Sequence, residues 1–251
     1  MKKVILRLLA YGFLIASPAF AAEAFAADMA VKAPPPAAPA VSQWTGFYAG
    51  LAGGVAWGQS QFIDADPTNL GGSLGFPITN KFDVSGGIFG GTVGYNWQFN
   101  NWVAGVEGDF SWATKLGISN SIPPFNTIGS NATRENWLGT GRARLGTPID
   151  GKLFYVTGGF AAAGVEAIFK GNLARDGSLA ATQTRWGWTA GGGLEAALFR
   201  NWSFKLEYLY VGLQDKSYFP PVTILPDFQL VRRKVTLNDN IVRLGLNYRF
   251  N

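Results

Sequence analysis

Apolar and polar residues alternate along most of the chain after position 44, most clearly at its end. In Arg243-Leu244-Gly245-Leu246-Asn247-Tyr248-Arg249-Phe250, the apolar and aromatic residues share one parity and Arg243, Gly245, Asn247 and Arg249 the other. Period two marks a strand with one apolar and one polar face. Reading for it predicts strands at roughly 44–60, 84–99, 102–117, 133–147, 152–169, 183–199, 202–214 and 235–250. Trp102, Ala104, Val106, Phe110 and Trp112 oppose Glu107, Asp109 and Ser111; Trp186, Trp188, Leu194 and Ala196 oppose Arg185, Thr189 and Glu195. Trp202, Phe204, Leu206, Tyr208 and Tyr210 oppose Ser203, Lys205 and Glu207, while Arg142 and Arg144 oppose Ala143 and Leu145. The strand near Leu153-Phe154-Tyr155-Val156 is apolar on both parities and gives no orientation.

The connections alternate in length. Phe99-Asn100-Asn101-Trp102, Pro148-Ile149-Asp150-Gly151 and Phe199-Arg200-Asn201-Trp202 are tight turns, and between them lie long stretches at about 61–83, 118–132, 170–182 and 215–234. This pattern predicts an all-β fold: an eight-stranded antiparallel up-and-down transmembrane β-barrel, with short turns and both termini periplasmic and long loops outside. The last strand is expected to close on the first, because an open edge in hydrocarbon leaves N–H and C=O groups unpaired. A soluble sandwich or lipocalin-like barrel also alternates, but it would present a charged face to water. Here the polar parity is small and sparsely charged, and the apolar parity carries Trp and Tyr near strand ends, as at a lipid interface.

Lys2, Lys3 and Arg7 precede the apolar run Leu8 to Ala16, followed by small-x-small sites at Ala19-Phe20-Ala21 and Ala24-Phe25-Ala26. The run is far short of the ~20 residues of a spanning helix and reads as a secretory signal. The expected organisation is a signal peptide over 1–21 (cleaved after Ala21, or after Ala26), a Pro/Ala-rich periplasmic tether over 22–43, and a barrel over 44–251.

Composition narrows the chemistry. With no Cys there are no disulfides or thiolate sites, and with no His the commonest general base and haem ligand are missing. The formal charge of +5 includes three basic residues of the signal; without them 18 Lys and Arg face 16 acids, which points away from nucleic acid. Gly191-Gly192-Gly193-Leu194-Glu195-Ala196 fits a dinucleotide fingerprint but sits inside a strand with no helix after it. Glu107 and Asp109 share a face as hydrolase carboxylates do. The simpler expectation is a lumen network of ion pairs among Glu107, Asp109, Arg142, Arg144, Glu195, Lys205, Glu207, Arg243 and Arg249, since buried charges must be matched. No enzyme, cofactor or metal is expected.

Trp44-Thr45-Gly46-Phe47-Tyr48-Ala49-Gly50 after a Pro-rich stretch, Gly94-Tyr95-Asn96-Trp97-Gln98, Gly105-Val106-Glu107-Gly108-Asp109, the run Asn201 to Tyr210, and Asn247-Tyr248-Arg249-Phe250 together carry a resemblance. The chain resembles the small outer-membrane proteins of alphaproteobacteria labelled "outer membrane immunogenic protein" or "porin family protein", whose barrel is similar to the OmpA transmembrane domain. That resemblance spans the whole chain and implies outer-membrane location, surface exposure and assembly by the outer-membrane insertion machinery. The insertion signal would be matched by Arg243, Gly245, Tyr248 and Phe250; the chain departs from the pattern in continuing to Asn251.

The expected role is structural: envelope integrity and surface-loop interactions, with the lumen plugged by ion pairs. The alternative is a small porin-like channel, although eight strands enclose an interior that side chains fill. Partners would be outer-membrane lipid and lipopolysaccharide. Lys216, Arg232, Arg233 and Lys234 around the Pro-rich stretch 220–226 are either contacts for lipopolysaccharide phosphates or a solvated loop.

Overall fold

The computed structural model describes residues 43–64, 79–120, 129–171, 178–218, 222–225, 228–230 and 233–250. The signal peptide expected over 1–21 and the tether expected over 22–43, except for Gln43, lie outside them. Ten strands follow in order: β1 (Gly46–Asp64), β2 (Thr79–Phe99), β3 (Trp102–Asn120), β4 (Gly129–Ile149), β5 (Lys152–Gly171), β6 (Ser178–Ala197), β7 (Trp202–Tyr218), β8 (Val222–Leu225), β9 (Phe228–Leu230) and β10 (Arg233–Phe250). β8 and β9 form a two-stranded sheet of their own; the others close into one barrel in the order β1-β10-β7-β6-β5-β4-β3-β2. Each pairs antiparallel with its neighbours, and β10 closes on β1 from Phe47↔Phe250 to Asp64↔Arg233. The eight-stranded up-and-down barrel expected from periodicity is the observed fold.

Aromatics fix a band on the outside. Phe47 and Trp57 on β1, and Trp102 and Trp112 on β3, are exposed outward pairs, each ten residues apart. Ten residues at ~3.3 Å, tilted by ~40°, rise by ~25 Å, the height of a lipid-facing band. Between the two rings aliphatic side chains predominate on the exposed face, among them Leu51, Val93, Val106, Val156, Leu206 and Leu244, with Phe110 next to Trp112. Beyond the Trp57–Trp112 ring the strands continue, and their outward faces become polar (Gln59, Lys81, Asp83, Ser85, Thr182, Thr184).

The inward faces change in the opposite sense. Inside the band they carry charge; beyond it Val84, Val165, Leu213, Leu237, Phe62 and Val235 point inward and are buried. On β2, β5, β7 and β10 the polar and apolar parities therefore exchange as the strand leaves the band, whereas β3 keeps Leu116 and Ile118 outward and Lys115 inward. The four long connections expected at 61–83, 118–132, 170–182 and 215–234 are too long, in part for this reason. The strands run into them at one or both ends, but the apolar–polar contrast cancels where the exchange occurs. β5 also becomes orientable: Leu153, Tyr155, Ala161, Ala163, Val165 and Ala167 face inward, while Phe154, Val156 and Phe160 face out.

The tight turns use left-handed backbone at Asn100 (φ 52), Asp150 (φ 49) and Arg200 (φ 49). Asn and Asp tolerate that region, because their short polar side chains bond locally; Arg lacks this compensation. Replacing Arg200 with Asn is expected to raise the urea-unfolding midpoint in detergent micelles, by up to about 1 kcal/mol of stability. A lowered midpoint would mean that Arg200 makes a contact outweighing its backbone strain.

Candidate functional site

The site is the lumen. Nearest the turn end, Glu107 and Asp109 (β3), Arg142 and Arg144 (β4), Glu195 (β6), Lys205 and Glu207 (β7) and Arg243 (β10) face inward and are buried. Arg142 is the hub: its guanidinium pairs with Glu107, with Asp109 at 2.9 Å and with Glu207 at 3.0 Å. Arg243 forks to Asp109 at 3.0 Å and Glu207 at 2.7 Å, and Lys205 reaches Glu107 at 3.0 Å. Arg144 lies between two rings, 4.7 Å from the centroid of Tyr48 and 5.1 Å from that of Tyr155. It donates to Asn96 Oδ1 at 2.8 Å and Glu195 Oε2 at 3.1 Å. Tyr48 and Tyr155 donate their hydroxyls to Glu107 at 2.7 Å and Glu207 at 2.8 Å; Ser203 and Asn247 donate to Glu195 at 2.5 and 3.0 Å. Four acids thus meet four bases in a dry interior.

Arg249 belongs elsewhere. Although it shares the inward parity, it forms no ion pair among the described residues. It stacks 4.7 Å from the Trp44 ring and donates to the Gln43 carbonyl at 2.6 Å. From the end of β10 it makes no direct salt bridge to the carboxylate layer, although Glu195 is near enough to act on its charge.

Further along the barrel Ala56, Ile88, Leu138, Leu209, Val211 and Ile241 pack into an apolar layer across the lumen. A second ion cluster is set in it: Lys115 (β3) bonds Glu135 (β4) at 2.8 Å and also pairs with Asp239 (β10). Nearby, Arg185 (β6) donates to the Val235 carbonyl. Ser60 and Thr133 share a hydrogen bond of 2.9 Å across the barrel. The apolar layer and the Lys115 cluster were absent from the sequence expectation of a polar lumen. Lys115 and Asp239 continue the inward parities of Asp109 and Arg243, so extending those strands would have found them. Glu135 could not be found so. A register shift between Glu135 and Trp137 adds a residue to β4, so inward positions are even below it (Leu138, Thr140, Arg142) and odd above it (Thr133, Glu135).

Of the other predicted residues, Gly245 lies on the inward face of β10, with Tyr248 and Phe250 exposed outward. The basic cluster does not stand as four free cations. Lys234 is paired with Asp215 at 2.7 Å. Lys216 sits beside Val235 in the β7–β10 ladder, Arg232 lies outside the described residues, and the side chain of Arg233 likewise. The Gly191–Gly193 triplet is interior to β6.

A closed barrel with a ringed apolar exterior and charged side chains filling its interior defines a small outer-membrane barrel protein. The chain belongs to the outer membrane protein beta-barrel domain family, which it matches over residues 13–250. It is 39% identical over 246 residues to the 31 kDa outer-membrane immunogenic protein of Brucella melitensis, covering 92% of this chain and 95% of that one. It is 32% identical over 237 residues to the 25 kDa outer-membrane immunogenic protein of Brucella canis, covering 92% of each. To the 22 kDa outer membrane protein of Rhizobium leguminosarum bv. viciae it is 30% identical, over 86% of this chain and 82% of that one. Among solved structures, the outer membrane protein OprG from Pseudomonas aeruginosa shares the fold at TM-score 0.51 and 15% identity, over 82% of this chain and 97% of that one. The protein is an outer-membrane β-barrel in a lipid and lipopolysaccharide environment.

Replacing Arg142 with Met is expected to cost about 3–5 kcal/mol, because it leaves buried carboxylates short of a partner. Arg142→Lys should recover only part of that, since one ammonium nitrogen cannot stand at both places from which Nη1 and Nη2 of the guanidinium meet the three carboxylates. Urea unfolding in detergent micelles measures both; an Arg142→Met loss below ~1 kcal/mol would show that the network does not hold the barrel.

Proposed function

We propose that this protein is a structural component of the outer membrane. It stiffens the envelope and presents loops at the surface, has no catalytic role, and its lumen is closed to solutes. The observation that carries this reading is the filled lumen. From turn end to loop end a path would have to cross Arg142 and its three carboxylates, the Leu138–Ile241 layer and the Lys115 cluster. In this reading the short turns and the seam's Phe250 end face the periplasm and the long connections face outward, as in barrels of this construction. The relatives named immunogenic outer-membrane proteins fit a chain whose outward connections are its contact surface.

Planar-bilayer recordings on protein purified from outer membranes test it against the small-pore alternative. The expectation is a quiet bilayer at protein densities where a known porin opens. Steady, reproducible openings of a single size would overturn the closed lumen. A pore that appears only in Arg142→Met would support it, by showing that the ion layer is the barrier.

A further inference from the structure

The turn-end mouth of the barrel is occupied by residues that precede the first strand. Trp44 continues the inward parity of Tyr48 and Ala52, yet lies past the last ladder pair that β1 makes with β10, Phe47↔Phe250. On that side β10 has ended, and only β2, which runs on to Phe99, still lies beside the chain. Trp44 is nevertheless wholly buried, packed against Val103, Leu153 and Tyr155 with Ala197 beside them.

Polar contacts hold the segment from two sides, β2 and β10. The Trp44 N–H donates to Gln98 Oε1 at 2.8 Å, and the Gln98 N–H to Thr45 Oγ1 at 2.9 Å, tying the segment to the end of β2. The Arg249 guanidinium lies 4.7 Å from the indole centroid and donates to the Gln43 carbonyl at 2.6 Å. Arg249 is itself fixed by the β6–β7 turn: its N–H donates to the Asn201 carbonyl at 2.8 Å, and Asn201 Nδ2 donates to the Arg249 carbonyl at 2.8 Å. One arginine on the last strand thus grips the chain ahead of the first.

We propose that Gln43–Thr45 and Arg249 form a latch that seals the turn-end mouth and keeps the β1–β10 seam from reopening. The seam joins segments 169 to 203 residues apart. Bringing such distant segments together carries the largest loop-closure entropy in the fold, so the ladder between them forms late. The latch needs Arg249 already seated on the β6–β7 turn and β10 already beside β1, so it forms after the seam. A contact made after the rate-limiting step leaves the folding rate alone and slows unfolding.

The experiment is a double-mutant cycle with Trp44→Ala, Arg249→Gln and both, on protein purified from outer membranes. Unfolding is followed as decay of the fast-migrating band in SDS at fixed temperature, and refolding from urea into detergent micelles. Each single variant is expected to unfold roughly tenfold faster and to refold within about twofold of wild type. The double variant is expected to unfold no more than about threefold faster than the worse single, because both remove one interaction. Thr147→Ala, which removes a hydrogen bond to the Asn101 carbonyl at the same end (2.9 Å), serves as control and should change unfolding by less than about threefold. Wild-type unfolding rates in the single variants, independent effects in the double, or refolding slowed as much as unfolding is accelerated would each overturn the latch. Should Trp44→Ala give no folded barrel, Trp44→Phe, which keeps a smaller ring beneath the guanidinium, replaces it in the same cycle.

Discussion

A peptide group in hydrocarbon has no water to bond, so each strand inside a bilayer must be paired on both sides. Closure of β10 on β1 meets that demand here, and closure at eight strands sets the interior width. That width admits side chains and little else. Once the outer face is committed to lipid, the other parity of every strand must point into this narrow dry space. Any charge placed there must find its opposite or lose its solvation without compensation. The matched set around Arg142 and Arg243 is thus a consequence of topology. Glu107, on β3, lies across from Lys205, on β7, and closure makes them neighbours at 3.0 Å.

Outside the lipid band the constraint reverses. Water now covers the outer face, and the interior is again where apolar groups are best placed, as in a soluble sandwich. Strands β2, β5, β7 and β10 obey both rules by exchanging parities near the Trp57–Trp112 ring. On β7 the outward series Trp202, Phe204, Leu206, Tyr208, Tyr210 overlaps the inward series Leu209, Val211, Leu213. The result is a barrel of two solvents, inside-polar within lipid and largely inside-apolar beyond it, where the charged cluster around Lys115 is internally paired. The ladders continue as a packed support beneath the long connections.

This exchange decides what could be read from sequence. Inside the band, contrast between parities is strong, so strand existence, order and facing follow from Trp102 to Trp112 or Leu244 to Phe250 without coordinates. Where the parities cross, a strand resembles an unpatterned stretch: β2 begins at Thr79, five residues ahead of the start that its alternation predicts. The ion layer was legible as a set, since its members share the polar parity of strands already recognised. Its pairings were not, because they depend on which strands closure sets opposite one another. Glu135 was hidden by a bulge that leaves no mark in the alternation, and the separate place of Arg249 depends on Trp44, a contact made beyond the end of any ladder.

The abundance of glycine, 33 of 251 residues, acquires a reason in the same geometry. A lumen of fixed width holds large polar side chains only where facing positions give up theirs. Gly94 on β2 faces inward beneath the Tyr48 phenol, and a Cβ there would collide with that ring; Gly193 on β6 stands in the same relation to Tyr155. These two tyrosines clasp Arg144 and donate to Glu107 and Glu207. Filling either glycine would push a ring off the guanidinium and remove a hydrogen bond from a buried carboxylate at once. Composition that looks like looseness in a soluble chain is here the space into which the charged interior is packed.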